Sequence, residues 1–186
     1  MLFGKKNRRS TISNIAFIFT LLVLLTQVGC EVNDSSDSDA RIIIGESIDG
    51  IHLGEYPEAI EERLGSNKLI GFADGSRGWT IYSWPDSVYS GLCVYFIEMD
   101  VGELGPADYL AVEAPYDGTT KEGIGIGTNI RDVYDIWGEP VRISESSITI
   151  SLTYDLNGKS LFLRFRDSLL EHLQFGPFIP YDISTQ

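Results

Sequence analysis

The chain has 186 residues, 43% of them hydrophobic and 22% charged, with two cysteines and two histidines. Twenty-seven acidic residues against 14 basic ones give a formal net charge of −13, a field that repels phosphate backbones and argues against a nucleic-acid partner. The length suits one ordinary hydrophobic core and is too short for two independent enzymatic domains.

The chain opens with Lys5, Lys6, Arg8 and Arg9 and no acidic residue, followed by an apolar run from Ile15 to Leu25 and then Thr26-Gln27-Val28-Gly29-Cys30. A basic, then apolar, then small-residue order is that of a secretory signal. The run is shorter than the roughly 20 apolar residues a bilayer span needs. A small residue directly before a cysteine resembles the lipobox of bacterial lipoproteins, with Gln27 where an aliphatic residue is usual. Residues 1–30 are therefore expected to form a lipoprotein signal peptide ending at the lipidation site Cys30. A plain signal with an unmodified cysteine is the alternative. Removing the four leader cations while keeping every acidic residue brings the mature formal charge to −17. Such a body stays off anionic headgroups, so acyl chains have to hold it at the membrane. The expected location is the bacterial cell envelope, at the outer membrane or cell surface rather than the cytoplasmic membrane.

Residues 31–40 read as an acidic flexible tether, because Glu-Val-Asn-Asp-Ser-Ser-Asp-Ser-Asp has too little apolar surface to offset the entropy of ordering. Asp34, Asp37 and Asp39 lack the alternate spacing and central glycine of a calcium loop. Neither a metal nor another cofactor is expected.

From Arg41 onward the sequence matches itself at an offset of 73: Ile51, Leu53, Gly54, Ile60, Leu64 and Gly65 correspond to Ile124, Ile126, Gly127, Val133, Trp137 and Gly138. Each stretch reads as a short strand entering a short helix. Ile60 and Leu64, like Val133 and Trp137, are four residues apart and share a helical face. Pro57 suits a first turn, Thr128 or Asn129 an N-cap, and Gly65 and Gly138 a C-terminal stop. Strands follow at Trp79–Trp84 and Ile148–Tyr154, at Leu92–Phe96 and Leu161–Phe165, and near Tyr109–Ala114 and Leu170–Phe175, all rich in β-branched and aromatic residues. Asn157-Gly158 marks a hairpin turn. The expected fold class is α+β: two tandem helix-then-antiparallel-sheet repeats, 41–118 and 119–186, with short helices on one face of the sheet.

Gly127-Thr128 through Val133 and Trp137-Gly138-Glu139-Pro140, followed by an aromatic strand hairpin, resembles the helix-then-sheet unit of the SmpA/OmlA-type outer-membrane assembly lipoproteins and of the β-lactamase inhibitor protein family. The first copy departs from that pattern at Ser66-Asn67. The resemblance implies a small envelope or secreted binding module, two tandem copies being the arrangement of the inhibitor family.

Little points to catalysis. His52 and His172 have no nucleophile beside them in sequence, Cys93 sits in an apolar strand without a local acid-base motif, and Gly123, Gly125 and Gly127 do not complete a dinucleotide fingerprint. Binding is better supported. With Leu92, Val94, Phe96, Leu161, Leu163 and Phe165 facing the helices, alternation sends Tyr95, Ile97, Phe162, Arg164 and Arg166 to the other face. Aligning Trp79 with Leu152 sends Tyr82 and Trp84 there too. Tyr82, Trp84, Tyr95, Phe162 and Arg164 are the expected partner-binding residues, on a face with the composition of an interaction hot spot. No catalytic or metal-ligating residue is expected. The reading is a noncatalytic protein-binding lipoprotein; the alternatives are an envelope hydrolase and a structural module without a specific partner.

Overall fold

The computed structural model describes residues 40–73, 78–100 and 102–177. The expected signal peptide, Cys30 and the acidic stretch 31–39 lie outside the described residues. Among the described ones, no helix is long and apolar enough to cross a membrane.

Three two-residue strands open the described chain: β1 (Ile42–Ile43), β2 (Ser47–Ile48) and β3 (Ile51–His52), paired antiparallel in that order. The β2–β3 turn is a two-residue one in which Asp49 and Gly50 both take positive φ, as a hairpin of this hand requires. Ile42, Ile48 and Ile51 all point into the core. Helix α1 (Pro57–Leu64) starts on Pro57, whose fixed φ suits a first turn and whose missing N–H would have no helical partner there. It buries Ile60 and Leu64 and stops at Gly65, φ 92°.

Eight further strands form one antiparallel sheet: β4 (Leu69–Ala73), β5 (Trp79–Ser83), β6 (Leu92–Asp100), β7 (Glu103–Glu113), β8 (Arg142–Glu145), β9 (Thr149–Asp155), β10 (Lys159–Arg166) and β11 (Leu169–Pro177). The order across the sheet is β4-β5-β6-β7-β11-β10-β9-β8, so the last strands of the two meanders meet in the middle. At this seam Leu110 pairs with Phe175 and Val112 with Leu173, all four fully buried. Helix α2 (Ile130–Trp137) precedes β8, capped by the Asn129 side chain, which accepts from the Arg131 N–H at 3.0 Å.

These elements correct the expected fold class. Half of the described residues are strand and 12% are helix, in two eight-residue helices, so the molecule is mostly β: one large eight-stranded sheet and a small three-stranded one, not two tandem helix-then-sheet repeats. The six-position match also covers unlike structure. Ile51 belongs to the three-stranded sheet, whereas Ile124 lies outside any strand; Leu64 is buried, whereas Trp137 is only partly so. Repeated glycines and apolar spacings specify local turns and helix faces, and the same local solutions recur in unequal surroundings.

One face of the large sheet makes the core. Tyr82, Leu92, Val94, Phe96, Leu110, Val112, Leu152, Tyr154, Leu161, Leu163, Phe165, Leu173 and Phe175 pack there with Ile60, Val133 and the small-sheet isoleucines. Burying that much apolar surface is the main term holding the fold. At the mouth of the domain, Arg41 donates to both carboxylate oxygens of Asp49 at 2.6 and 2.9 Å, pairs with Asp117 and lies 4.8 Å over the Tyr116 ring, while the Tyr116 hydroxyl donates to Asp49 at 2.9 Å. This network fastens the first described residues to the segment after β7.

Candidate outer sheet face

The partner-binding residues expected from the sequence separate onto the two faces. Tyr82 and Trp84 are 7% and 1% exposed, inside the core. Tyr82 pairs with Val94, and its ring stacks at a tilt on Phe96 with centroids 4.9 Å apart. The Trp84 indole N–H donates to the Gly65 carbonyl at 2.9 Å, closing the end of α1. Both assignments to a binding face are therefore corrected, and the reason is a register slip of three residues, an odd number. Tyr82, not Trp79, is the inward counterpart of Leu152, because Tyr82 faces inward-pointing Val94 while Leu152 faces inward-pointing Leu163. With a side-chain period of two, any odd slip exchanges the faces of a whole strand.

Tyr95, Phe162 and Arg164 do lie on the outer face, each half-buried. Strand pairing brings them together with residues that the sequence reading did not select. Trp79 and Ile81 of β5 stand opposite Ile97 and Tyr95 of β6; Tyr95 stands opposite Tyr109 of β7. Across the seam, Glu113 faces His172 and Ala111 faces Gln174, and these two pair with Arg164 and Phe162 of β10. Of these, Tyr109, Ala111 and His172 are buried, and the others are half-buried or exposed. Trp79 meets Tyr109 edge-on at 5.2 Å and Phe162 meets His172 at 6.1 Å. Tyr109 fits because of Gly176: a Cβ there would come within 2.4 Å of the Tyr109 ring and of the Asp108 carbonyl. Its hydroxyl donates to the Pro177 carbonyl at 2.6 Å.

The seam is polar at its centre. His172 is buried, with Nε2 3.3 Å from the Gln174 side-chain oxygen. Its Nδ1 is buried without a hydrogen-bond partner, 3.9 Å from a Glu113 carboxylate oxygen. The His172 imidazole, helped by Arg164, holds the Glu113 carboxyl below its ordinary value against the effect of partial burial. A bulge between Arg164 and Phe165 sets Glu171 between two guanidinium groups, 2.7 Å from Arg164 and 2.9 Å from Arg166. Burial raises the Glu171 carboxyl, but these two arginines outweigh it and the net shift is downward.

Two groups here are chemically quiet. Burial, then the nearby Glu113 carboxylate, pushes the Cys93 thiol up to about 12, far from the thiolate a nucleophile requires. Burial does the same to Tyr95, also to about 12. Cys93 is on β6 and His172 on β11, with β7 between them. Away from this face, exposed His52 lines an open groove of about 340 Å³ with Arg41, Asp49 and Tyr89, and its Nδ1 is 3.9 Å from Glu46. A second open groove, about 580 Å³, runs along the start of α2 past Glu122, Asp132 and Asp135. Among the described residues no group of three or more His, Cys, Asp or Glu is placed to hold a metal ion.

No family model matches the sequence, and no curated protein matches it. Among solved structures, the chain is similar to a DUF4309 family protein, YjgB, from Bacillus subtilis. The two share 12% identity over 72% of this chain and 88% of that one, with a TM-score of 0.42. At that distance nothing about function follows.

Proposed function

We propose that this protein is a lipid-anchored bacterial envelope module that binds a protein partner, without catalysis, through the outer face of its eight-stranded sheet. The observation that carries the reading is a buried His172 nitrogen with no partner of its own beside half-buried Phe162, on a sheet face that also carries half-buried Trp79 and Tyr95. A buried polar atom left unpaired costs about 1–3 kcal/mol, and a ligand group reaching His172 between Phe162 and Glu113 removes that cost. Aromatic and arginine side chains in a partly desolvated patch are the usual carriers of binding energy at protein interfaces. A catalytic role finds less support: the Cys93 thiol stays protonated, and a strand separates it from His172.

The anchor belongs to the same proposal, on the strength of the basic leader, the short apolar run and Gly29-Cys30. Mass spectrometry of the mature N-terminus is expected to find acylated Cys30, and Cys30→Ala to move the protein out of the membrane fraction. For the binding face, native-envelope cross-linking followed by identification of captured proteins is expected to give one dominant partner. Phe162→Ser, Tyr95→Ser and Arg164→Ala are expected to lose it while remaining folded by circular dichroism. An unchanged capture profile from all three variants would refute the assignment of this face.

A further inference from the structure

Among the described residues, the large sheet ends in two edge strands, β4 and β8, that are built differently. β8 is four residues long and carries Arg142 and Glu145, the short, charged form that discourages addition of another strand. β4, Leu69-Ile70-Gly71-Phe72-Ala73, has no charge, no proline and an unbroken register with β5. Leu69, Ile70 and Phe72 are 60%, 55% and 77% exposed. Ile70 pairs with Tyr82 and Phe72 with Thr80, which places them on the core-facing side, where Tyr82 and Thr80 are buried. The core layer thus stops one strand short of the sheet's edge. The adjacent cation is already engaged: Lys68 is 2.6 Å from Glu61 and 4.5 Å over the Tyr82 ring.

We propose that β4 is where two copies of this chain join, strand to strand and antiparallel, about a two-fold axis through Gly71. The strand is self-complementary about that residue. With Gly71 opposite the second copy's Gly71, Ile70 meets the second copy's Phe72 and Phe72 meets its Ile70. A two-fold axis normal to the sheet keeps Ile70 and Phe72 of both copies on the core side. Four large apolar side chains now reached by water then form one cluster continuous with Tyr82, and the open backbone edge gains its missing hydrogen bonds. Charge selects the same edge. Two strongly acidic chains repel, and the segment 65–73 carries only Lys68, already neutralised; added salt screens the remaining repulsion and tightens the dimer.

The test uses the full-length protein. Gly71→Cys places two thiols across the axis, where facing Cα atoms of an antiparallel pair are about 4.5–5.5 Å apart, and mild oxidation of intact cells is expected to give a covalent homodimer. Ile143→Cys on the β8 edge is expected to give none. In detergent solution, light scattering is expected to show a concentration-dependent dimer that tightens with salt, and Phe72→Lys to weaken it by about tenfold or more with an unchanged circular dichroism spectrum. The proposal is overturned if the protein stays monomeric at every concentration and salt level. It is equally overturned if Gly71→Cys couples to a different protein, or if the Phe72→Lys dimer is as tight as wild type. Loss of the outer-face partner in the Phe162 variant bears on the earlier reading and leaves this one intact.

Discussion

The two faces of the eight-stranded sheet carry similar aromatic content and treat it oppositely. On the core face, Phe96, Tyr82, Trp84 and Tyr154 are enclosed, and two of their polar atoms close helix ends: the Trp84 N–H donates to the Gly65 carbonyl and the Tyr154 hydroxyl to the Gly138 carbonyl, at 2.9 and 3.0 Å. On the outer face, Trp79, Tyr95 and Phe162 are half-buried, and beside Phe162 the His172 Nδ1 is buried without a hydrogen-bond partner. The lesson is that aromatic composition does not distinguish structure from recognition. What differs is one polar atom: those of Trp84 and Tyr154 are bonded on the core face, whereas the outer face, for all its Tyr109 and Arg164 bonds, keeps one buried imidazole nitrogen unpaired, where the proposed partner would bond.

The most direct way to break this comparison is a matched pair of deletions. Phe96→Ala is expected to destabilise the protein by about 3–5 kcal/mol, the usual cost of emptying a packed phenylalanine site. Phe162→Ala should cost about 1 kcal/mol or less, since part of its surface is already wet. Urea unfolding of both variants measures the difference directly. Equal losses would mean that the outer face is a second core. The next effect in size sharpens the description of the core face. Trp84→Phe and Tyr154→Phe each strand a helix-terminal carbonyl, and each should lower stability by about 1–3 kcal/mol. Because the two bonds close different helices, the double variant should lose the sum of the single losses within about 0.5 kcal/mol.

Much of the molecule was legible residue by residue, and the failures have identifiable causes. Pro57, Asn129, Gly65 and Gly138 bound the helices because their backbone preferences act within one turn. Asn157-Gly158 makes its hairpin, with φ of 57° and 94°, for the same reason. Leu92-Val94-Phe96 and Leu161-Leu163-Phe165 face inward because their alternation is unbroken. β5 was misread because Trp79, Tyr82 and Trp84 are all aromatic, so hydropathy alone cannot orient it. The signal lay in the pairing of Tyr82 with Val94, a non-local contact. β4 and β8 escaped notice for lack of alternation: Leu69-Ile70-Gly71-Phe72-Ala73 is apolar almost throughout and Arg142-Ile143-Ser144-Glu145 is mostly polar, as edge strands with half their surroundings missing can be. His172 and Glu113 are met only across the seam, 59 positions apart in sequence. The fold class was overestimated in helix because periodic glycines and four-residue apolar spacings mark the helices plainly, while short or mixed strands leave weaker marks.

A smaller effect tests how the outer face is held in shape. Gly176→Ala puts a methyl group within 2.4 Å of the Asp108 carbonyl and the Tyr109 ring, so Tyr109 must leave its place against Trp79. Overpacking of this kind costs typically about 1–3 kcal/mol, and Tyr109 is buried on this face. The displaced ring should shift the tryptophan emission and weaken partner capture, whereas Phe96→Ala, if it folds at low temperature, should retain capture. The two variants thereby separate loss of stability from loss of the recognition surface.

The smallest predicted effect concerns the seam's charge. His172, then Arg164, lowers the folded-state pKa of Glu113, so the unfolded chain binds the Glu113 proton more readily than the folded one does. Stability from this group is fully present above the ordinary carboxylate value and is lost as pH falls through the lowered folded value. The Glu113 side chain is 53% exposed, which limits the amplitude to under about 1 kcal/mol. Glu171, lowered by Arg164 and Arg166, titrates in the same acidic window. Glu113→Gln should therefore flatten only part of the stability slope there, and Glu113→Gln with Glu171→Gln more of it. Urea midpoints measured down through the carboxylate range decide the matter. If Glu113→Gln leaves the slope unchanged, His172 does not act on Glu113 in the folded protein. If it steepens the slope, Glu113 is held protonated in the folded protein and His172 and Arg164 do not stabilise its carboxylate.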